Sequence, residues 1–261
     1  MGMSFSRLPE SQGCEKSCAY LDNGFCLKCD CDKCDGGSIM KKGIDGFTLF
    51  ASKCDCVNRA ISRKYLRDSG LESIADKYVF DNFLAGEEWQ SVIKSKAYNY
   101  ISEWHDNSFF ICGASGCGKT HICTACCGEL INQGISVQYF RWIADGARIK
   151  SVINERELYQ SEIEKLLRCD MLYLDDLFKG AVSSADIRLA FQLIDGRYVA
   201  GKPLIASSEL SLEEIKAIDE AIAGRLFEMS GSGKYIIYIK GGEKNHRFNN
   251  IPLDNTDNKP H

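Results

Sequence analysis

Two patterns of apolar residues alternate along the chain from about residue 108 onward. Short apolar runs, which are typical of buried strands, are separated by longer stretches with helical periodicity. Because strands that alternate with helices form parallel sheets covered on both faces, the pattern predicts an α/β fold. The five predicted strands are 108–112, 136–140, 170–174, 203–207 and 235–239.

Helical periodicity fills the intervals between these strands and also precedes them. A helix at 57–69 is ended by Gly70, and residues 71–87 read as a connector. The remaining predicted helices are 87–103, 119–132, 143–167 with a break near Asn154, 185–198, 211–217 and 219–228.

The first 56 residues follow neither pattern. They are rich in Cys, Asp, Gly and Lys. A segment with so few apolar runs cannot build a hydrophobic core and needs a cross-link, such as a structural metal ion, to fold. We therefore expect a small cysteine-rich domain at 1–56, a helical linker that begins the next domain at 57–107, a core at 108–249 and a polar tail at 250–261.

Charge and hydropathy exclude several classes of protein. The net charge is −4 and the pI is about 5.7, so a DNA contact would have to come from a local basic patch. No stretch approaches the roughly 20 apolar residues that span a bilayer. Residues 1–10 lack the apolar core of a signal peptide, so a cytoplasmic protein is expected.

The stretch after the strand at 108–112 matches the P-loop pattern G-x-x-x-x-G-K-[ST] in full. Its glycines let backbone N–H groups surround a phosphate, and the following helix adds its positive dipole end. Lys119 would contact the β- and γ-phosphates, and Thr120 would ligate Mg²⁺. The strand before and the helix after argue against a chance glycine-rich turn. The candidate nucleotide-binding residues are Gly113, Ala114, Ser115, Gly116, Cys117, Gly118, Lys119, Thr120 and His121.

A P-loop predicts an acidic site on a second strand, and the strand at 170–174 leads into Asp175 and Asp176. Asp175 would hold the Mg²⁺ ion, and Asp176 would orient the attacking water. Without the P-loop, a strand-end turn with two solvated carboxylates would fit equally well. Asp176 is one methylene shorter than the glutamate that many such ATPases carry, so slow hydrolysis is expected.

Two further residues fit the same chemistry less specifically. Ser208 follows a strand that in this class of sheet lies between the P-loop strand and the acidic strand. It would sense the γ-phosphate, unless it is a helix-capping or turn serine. Arg225 would neutralise transition-state charge in a neighbouring protomer, unless it is a solvated cation at a helix end. Arg197 is the reserve candidate for the arginine role.

Eight of the 14 cysteines lie between Cys14 and Cys56. Because a reducing cytosol disfavours disulfides, we interpret these eight as metal ligands and the other six as small buried hydrophobes. Two-residue gaps suit tetrahedral thiolate coordination of zinc, and eight thiolates make two sites. An iron–sulfur cluster is the alternative. The simplest arrangement puts one zinc ion on Cys26, Cys29, Cys31 and Cys34 and a second on Cys14, Cys18, Cys54 and Cys56.

Longer stretches carry a more specific resemblance. They are Arg63-Lys-Tyr-Leu-Arg-Asp-Ser-Gly70, Phe80-Asp-Asn-Phe83, Tyr173-Leu-Asp-Asp-Leu-Phe-Lys179, Ile194-Asp-Gly-Arg-Tyr198, Ile205-Ala-Ser-Ser-Glu-Leu210 and Asp219-Glu-Ala-Ile-Ala-Gly-Arg-Leu-Phe-Glu-Met229. With these stretches, residues from about 54 to 249 resemble AAA+ ATPases of the bacterial and phage helicase-loader group, the DnaC/DnaI type. That group is close kin of the IstB transposition ATPase.

The resemblance implies roles by position. The matching residues are Lys119 and Thr120 in Walker A, Asp175 and Asp176 in Walker B, Ser208 at sensor 1 and Arg225 as the arginine finger. ATP would then be hydrolysed to ADP between self-assembled protomers. A zinc-bearing N-terminal domain would contact a DnaB-type hexameric helicase, and the ATPase domain would bind single-stranded DNA. Cys14, Cys18, Cys54 and Cys56 resemble the family's zinc ligands, whereas residues 26–34 look like an insertion.

We therefore predict an ATP-dependent loader of a hexameric replicative helicase. Two alternatives stay open: an IstB-like transposition regulator acting on duplex DNA, and a nucleotide-locked helicase adaptor that hardly hydrolyses ATP. A local DNA patch is expected where the aromatic residues of 139–142 precede Arg148 and Lys150. The alternative for that patch is that its aromatics belong to the core and its cations are solvated.

Overall fold

The computed structural model describes residues 65–240 with their side chains, together with the backbones of four short strands nearer the N-terminus. These four strands are β1 (Leu21–Asp22), β2 (Phe25–Cys26), β3 (Ser38–Lys42) and β4 (Leu49–Lys53). β1 pairs with β2 and β3 with β4, both antiparallel. The apolar pattern did not predict these two pairs, because the segment has too few apolar residues to show alternation.

Helices and strands alternate through residues 72–239. A helical turn also occupies 65–69, and Gly70 ends it with φ +82°. The helices are α1 (Glu72–Ala75), α2 (Glu88–Ser102), α3 (Lys119–Asn132), α4 (Trp142–Ser151), α5 (Arg156–Arg168), α6 (Ser184–Val199), α7 (Leu212–Ile218) and α8 (Glu220–Met229). The strands are β5 (Phe109–Gly113), β6 (Val137–Arg141), β7 (Met171–Leu177), β8 (Leu204–Ser208) and β9 (Ile236–Ile239).

The five later strands form one parallel sheet in the order β6-β7-β8-β5-β9. This confirms the predicted α/β class and the predicted place of β8 between β5 and β7. β7 runs three residues beyond its predicted end, because it continues through Asp175 and Asp176 with a register shift between Leu174 and Leu177. The two aspartates interrupt the apolar run, so the sequence pattern ended the strand too early.

Two apolar clusters cover the two faces of the sheet. Along β5, Phe109 and Ile111 face the cluster that contains α2 and α3. Phe110 and Cys112 face the cluster that contains helices α4 to α8. Because strands buried on both faces need apolar residues at every position, this arrangement explains the continuous apolar runs in the sequence.

The six cysteines outside the N-terminal segment are all buried and unpaired, which confirms their interpretation as core residues. Burial raises the pKa of each thiol, so none has the thiolate character of a nucleophile. They are Cys112, Cys117, Cys123, Cys126, Cys127 and Cys169. Within the described ranges no helix is long and apolar enough to cross a bilayer.

Arg197 is fully buried, and its guanidinium joins α6 to the end of α5 and to the residues just before β7 and β8. Nε donates to the carbonyl of Pro203 at 3.0 Å, Nη1 to Leu166 at 3.0 Å, and Nη2 to Asp170 at 2.7 Å. A side chain held in this way cannot reach another protomer. The reserve role of Arg197 as an arginine finger is therefore wrong.

We expect Arg197→Ala to lower the free energy of unfolding by about 3 kcal/mol or more, because several buried carbonyls lose charge-assisted hydrogen bonds. Urea denaturation followed by circular dichroism measures this change. Arg188→Ala, at an exposed position of the same helix, is the matched control and should stay within about 0.5 kcal/mol of the unmodified protein. Equal losses of unfolding free energy in the two variants would contradict the structural role of Arg197.

Candidate nucleotide-binding site

The P-loop connects the end of β5 to the start of α3. Gly113, Gly116 and Gly118 have φ values of +150°, +79° and +90°, which side-chain-bearing residues rarely adopt. A Cβ atom on Gly113 would lie 2.6 Å from the carbonyl oxygen of Ile239, so the loop can pass β9 only with glycine there. The sequence pattern therefore forms a tight turn ahead of a helix N-terminus.

Lys119 is buried at the first position of α3, and its side chain folds over the loop. Its Nζ donates to the carbonyl oxygens of Gly113 at 2.8 Å and Ala114 at 2.9 Å. The ammonium group is therefore positioned at the concave side of the loop, near the helix N-terminus that favours anions. This arrangement fits a nucleotide phosphate.

Thr120 and Asp175, the two predicted Mg²⁺ ligands, are brought together. Thr120 Oγ1 donates to Asp175 Oδ1 at 3.2 Å, although the two residues are 55 positions apart. Hydroxyl and carboxylate oxygens are the hard ligands that Mg²⁺ prefers, so this pair fits a magnesium ion. Within residues 65–240 no group of three or more His, Cys, Asp and Glu side chains is placed to hold a metal.

Asp175 is only 7 % exposed, and three further hydroxyl groups donate to its carboxylate. Oδ1 accepts from Tyr173 and Ser207 at 2.7 Å each, and Oδ2 accepts from Tyr139 at 2.8 Å. Burial, followed by the charge of Asp175, raises the pKa of Tyr139 far above its usual value, so the phenol stays a donor. A buried carboxylate needs such donors, because it has lost its water.

Sequence reasoning missed Tyr139, Tyr173 and Ser207. Tyr173 carried a usable signal, because a residue two positions before Asp175 on a strand lies on the same face. Tyr139 pairs with Tyr173 across the β6–β7 ladder, and their rings lie 5.0 Å apart. That contact depends on strand register, which the sequence pattern did not determine.

Asp176 lies beside Asp175 but in a different environment. Its backbone has φ +59°, and its N–H donates to Ser207 Oγ at 2.9 Å. Ser207 therefore bridges the two acidic residues. The Asp176 carboxylate itself accepts from Lys179 at 2.7 Å.

Ser208 is placed differently from its prediction. Its side chain is fully buried, and Oγ donates to the carbonyl of Leu177 at 2.7 Å and accepts from the N–H of Leu210 at 3.0 Å. Because successive residues of a strand face opposite sides of the sheet, Ser207 and not Ser208 points to Asp175. The predicted γ-phosphate contact at Ser208 is therefore corrected: that hydroxyl secures the turn after β7.

His121 lies among aromatic residues at the start of α3. Nε2 is 2.8 Å from the carbonyl oxygen of Val79, and the ring lies 5.1 Å from Tyr78 and 5.3 Å from Phe83. Burial lowers the pKa of the imidazole, so it is neutral at pH 7. The segment at 78–83 thus packs against the helix that begins at the P-loop.

Arg225 lies on α8 and contacts α6. Nη2 lies 2.6 Å from Asp195 Oδ1, and the guanidinium carbon is 4.9 Å and 5.6 Å from the ring centres of Phe191 and Tyr198. Its side chain is 24 % exposed. These contacts fix the guanidinium at the surface of one protomer, and its action on another protomer stays a prediction.

The predicted DNA patch at 139–150 does not form. Phe140 and Trp142 are buried in the core, and Tyr139 is engaged with Asp175. These aromatics therefore offer no stacking platform, and each neighbouring cation is paired with a carboxylate. The ion pairs are Arg141–Asp145 at 3.1 Å, Arg148–Glu162 at 2.9 Å and Lys150–Asp186 at 2.5 Å.

The predicted zinc ligands lie outside the residues with described side chains. Cys26 is in β2, of which the backbone alone is described, and the other seven fall between the described strands or beside them. The zinc sites therefore stay a prediction. The polar tail at 250–261 also lies outside the described residues.

Comparison with known proteins agrees with this geometry. The model of the family "IstB-like ATP binding protein" matches residues 56–228. Among curated relatives, the phage-like element PBSX protein XkdC of Bacillus subtilis (strain 168) is 28 % identical over 243 residues, which cover 87 % of each chain. The replicative helicase loader DnaC of Escherichia coli (strain K12) is 26 % identical over 187 residues, which cover 69 % of this chain and 75 % of DnaC.

A solved structure shares the fold. AMPPCP-bound DnaA from Aquifex aeolicus superposes with a TM-score of 0.54 at 20 % identity, over 65 % of this chain. The match covers 52 % of the DnaA chain, so this chain spans about half its length. The likeness supports the α/β fold with its five-stranded parallel sheet.

We expect Ser207→Ala to lower ATP turnover about tenfold with little change in ATP affinity, because supporting contacts around a metal ligand carry effects of this size. Phosphate release under multiple turnover and nucleotide titration separate the two quantities. Ser208→Ala is the matched control, and it should lower thermal stability more than it lowers turnover. Equal losses of turnover in both variants would refute the bridging role of Ser207.

Proposed function

Because the chain belongs to the IstB-like ATP binding protein family, we propose that it is an AAA+ ATPase that loads a hexameric replicative helicase onto single-stranded DNA. The ATPase part of this proposal is supported above all by the hydrogen bond from Thr120 Oγ1 to Asp175 Oδ1, at 3.2 Å. It joins a complete P-loop to an acidic strand, which is the arrangement that nucleoside triphosphate hydrolysis requires.

In this proposal the loop N–H groups and Lys119 bind the phosphates of ATP. Thr120 and Asp175 hold Mg²⁺, which when bound neutralises charge on the β- and γ-phosphates. Tyr139, Tyr173 and Ser207 fix the Asp175 carboxylate in one orientation. The geometry of the metal ligand is thus set before nucleotide binds, so little reorganisation accompanies the reaction.

Asp176 orients the attacking water and accepts its proton. Its short side chain and its contact with Lys179 both favour slow turnover. Arg225 acts on the nucleotide of a neighbouring protomer, which makes assembly depend on ATP. Support for this role comes from its partly exposed position, because the guanidinium lies at the surface although it is paired with Asp195 within the protomer.

The names of the relatives support the proposed partners. DnaC is named a replicative helicase loader, and XkdC belongs to a phage-like element, so we assign this protein to helicase loading in the cytoplasm of a bacterium or of a phage-infected host. Residues 1–56 would be the helicase-binding domain, folded around two zinc ions. The aromatic residues at 139–142 give no support to base stacking there, so this proposal assigns no DNA-binding residues.

The family match also favours a second function. An IstB-like regulator of transposition would share the ATPase core but would act on duplex DNA. The cysteine-rich segment favours the loader, because Cys14, Cys18, Cys54 and Cys56 resemble the zinc ligands of the helicase-loader group. A nucleotide-locked helicase adaptor is the third possibility, and measurable turnover would exclude it.

We expect Lys119→Ala to abolish ATP turnover, since the variant loses the cation that contacts the phosphates. Arg225→Ala should also be inactive alone. An equimolar mixture of the two variants should recover part of the activity, because intact P-loops then meet intact arginines across mixed interfaces. Phosphate release measures the turnover of the two variants and of their mixture. A mixture as inactive as each variant would contradict action in trans.

We expect a complex with a hexameric replicative helicase that strengthens with ATP, observed by native mass spectrometry. Replacing Cys14 and Cys18 by Ser should release zinc, measured by elemental analysis, and should weaken the complex while ATP turnover persists. Cys169→Ser, at a buried position of the ATPase core, is the control and should retain zinc. Absence of a helicase complex, together with stable binding to duplex DNA, would favour the transposition regulator.

A further inference from the structure

The ammonium group of Lys179 lies between two carboxylates at the edge of the nucleotide site. We propose that Lys179 is a positioning residue that restrains ATP turnover by holding Asp176, and that Glu209 relieves the restraint by competing for the same ammonium. The inference rests on the proposed function, since it concerns the rate of the ATP hydrolysis assigned above.

The contacts of Lys179 are unequal. Its Nζ lies 2.7 Å from Asp176 Oδ2 and 3.4 Å from Glu209 Oε1. The side chains of the three residues are only 33 %, 29 % and 36 % exposed, so water screens their charges incompletely. The hydrogen bond to Asp176 is the main cause that raises the pKa of Lys179, and the group is therefore charged at neutral pH.

This contact opposes the chemical role of Asp176. A carboxylate that orients water and accepts its proton has to offer oxygen lone pairs to that water. An ammonium at 2.7 Å occupies Oδ2 with a charge-assisted hydrogen bond, so this oxygen is not free to accept a hydrogen bond from the attacking water. Hydrolysis becomes faster when the ammonium moves away.

The backbone prevents Lys179 from leaving as a whole. Its N–H donates to the Asp176 carbonyl at 3.0 Å, and the intervening Phe178 is buried with φ +60°. The Phe178 ring packs 5.4 Å from that of Trp142. The turn is therefore anchored, and only the flexible side chain of Lys179 can move.

Glu209 supplies the second position for the ammonium. It comes directly after β8, the strand whose Ser207 contacts both acidic residues. Nζ already lies within ion-pair distance of Glu209, so rotation of the flexible Lys179 side chain can strengthen that contact at the expense of the contact with Asp176. Any event that draws the β8 end toward Lys179 would then release Asp176.

The test compares steady-state ATP hydrolysis by full-length variants. Lys179→Met keeps the alkyl stem and removes the charge, and it should raise kcat about two- to fivefold, the factor typical of a partly exposed ion pair. KM for ATP should stay unchanged. Lys179→Arg retains a cation and should keep kcat close to that of the unmodified protein. Lys216→Met, which removes an exposed ion pair with Glu220, is the matched control.

Glu209→Gln should lower kcat by up to about twofold, because Lys179 then binds Asp176 alone. The same substitution should have no effect when combined with Lys179→Met. An equal decrease in both backgrounds would show that Glu209 acts on the reaction directly and would overturn its role as competitor.

The remaining outcomes separate the inference from the function on which it rests. One outcome is that the unmodified protein hydrolyses ATP faster than Lys119→Ala does, but Lys179→Met hydrolyses it no faster than the unmodified protein. The restraint is then refuted and the ATPase assignment stands. If only Lys179→Met hydrolyses ATP faster than Lys119→Ala does, the restraint is supported, and the protein is an ATPase whose activity Lys179 suppresses. If neither exceeds it, both the restraint and the hydrolysis are refuted.

Discussion

The buried charge of Asp175 is the constraint on which the site depends. Four hydroxyl groups donate to this one carboxylate, and they come from α3, β6, β7 and β8. A carboxylate so far out of water is stable only when all of these elements are in place. The order β6-β7-β8-β5 places both neighbours of β7 within reach, and the helix that follows β5 supplies the fourth donor. Formation of the metal ligand is therefore coupled to formation of the sheet.

Much of this architecture could be predicted from local patterns. Continuous apolar runs identified the five strands of the sheet, and α3 begins and ends at its predicted residues. The P-loop could be located because its chemistry requires consecutive residues, and the acidic strand because two carboxylates end an apolar run. The predicted helix at 143–167 is two helices, α4 and α5, with the break at the predicted place near Asn154.

The errors share a physical cause. Ser207 and Ser208 are adjacent and identical in type, so only the strand pleat decides which one meets Asp175. Tyr139 looked like a candidate for base stacking because a sequence shows an aromatic ring without its partner. Long-range pairing converted it into a hydrogen-bond donor. Arg197 looked available as a catalytic cation, although packing of α6 buried it among carbonyl groups.

The left-handed backbone at Asp176 also limits which acid can occupy that position. Short polar residues such as Asp and Asn adopt this conformation more readily than longer side chains do, because they hydrogen-bond locally. A glutamate at position 176 would gain reach toward water but would meet a less favourable backbone energy. The irregular end of β7 therefore selects side-chain length, and the shorter acid is the one that this backbone accommodates at least strain.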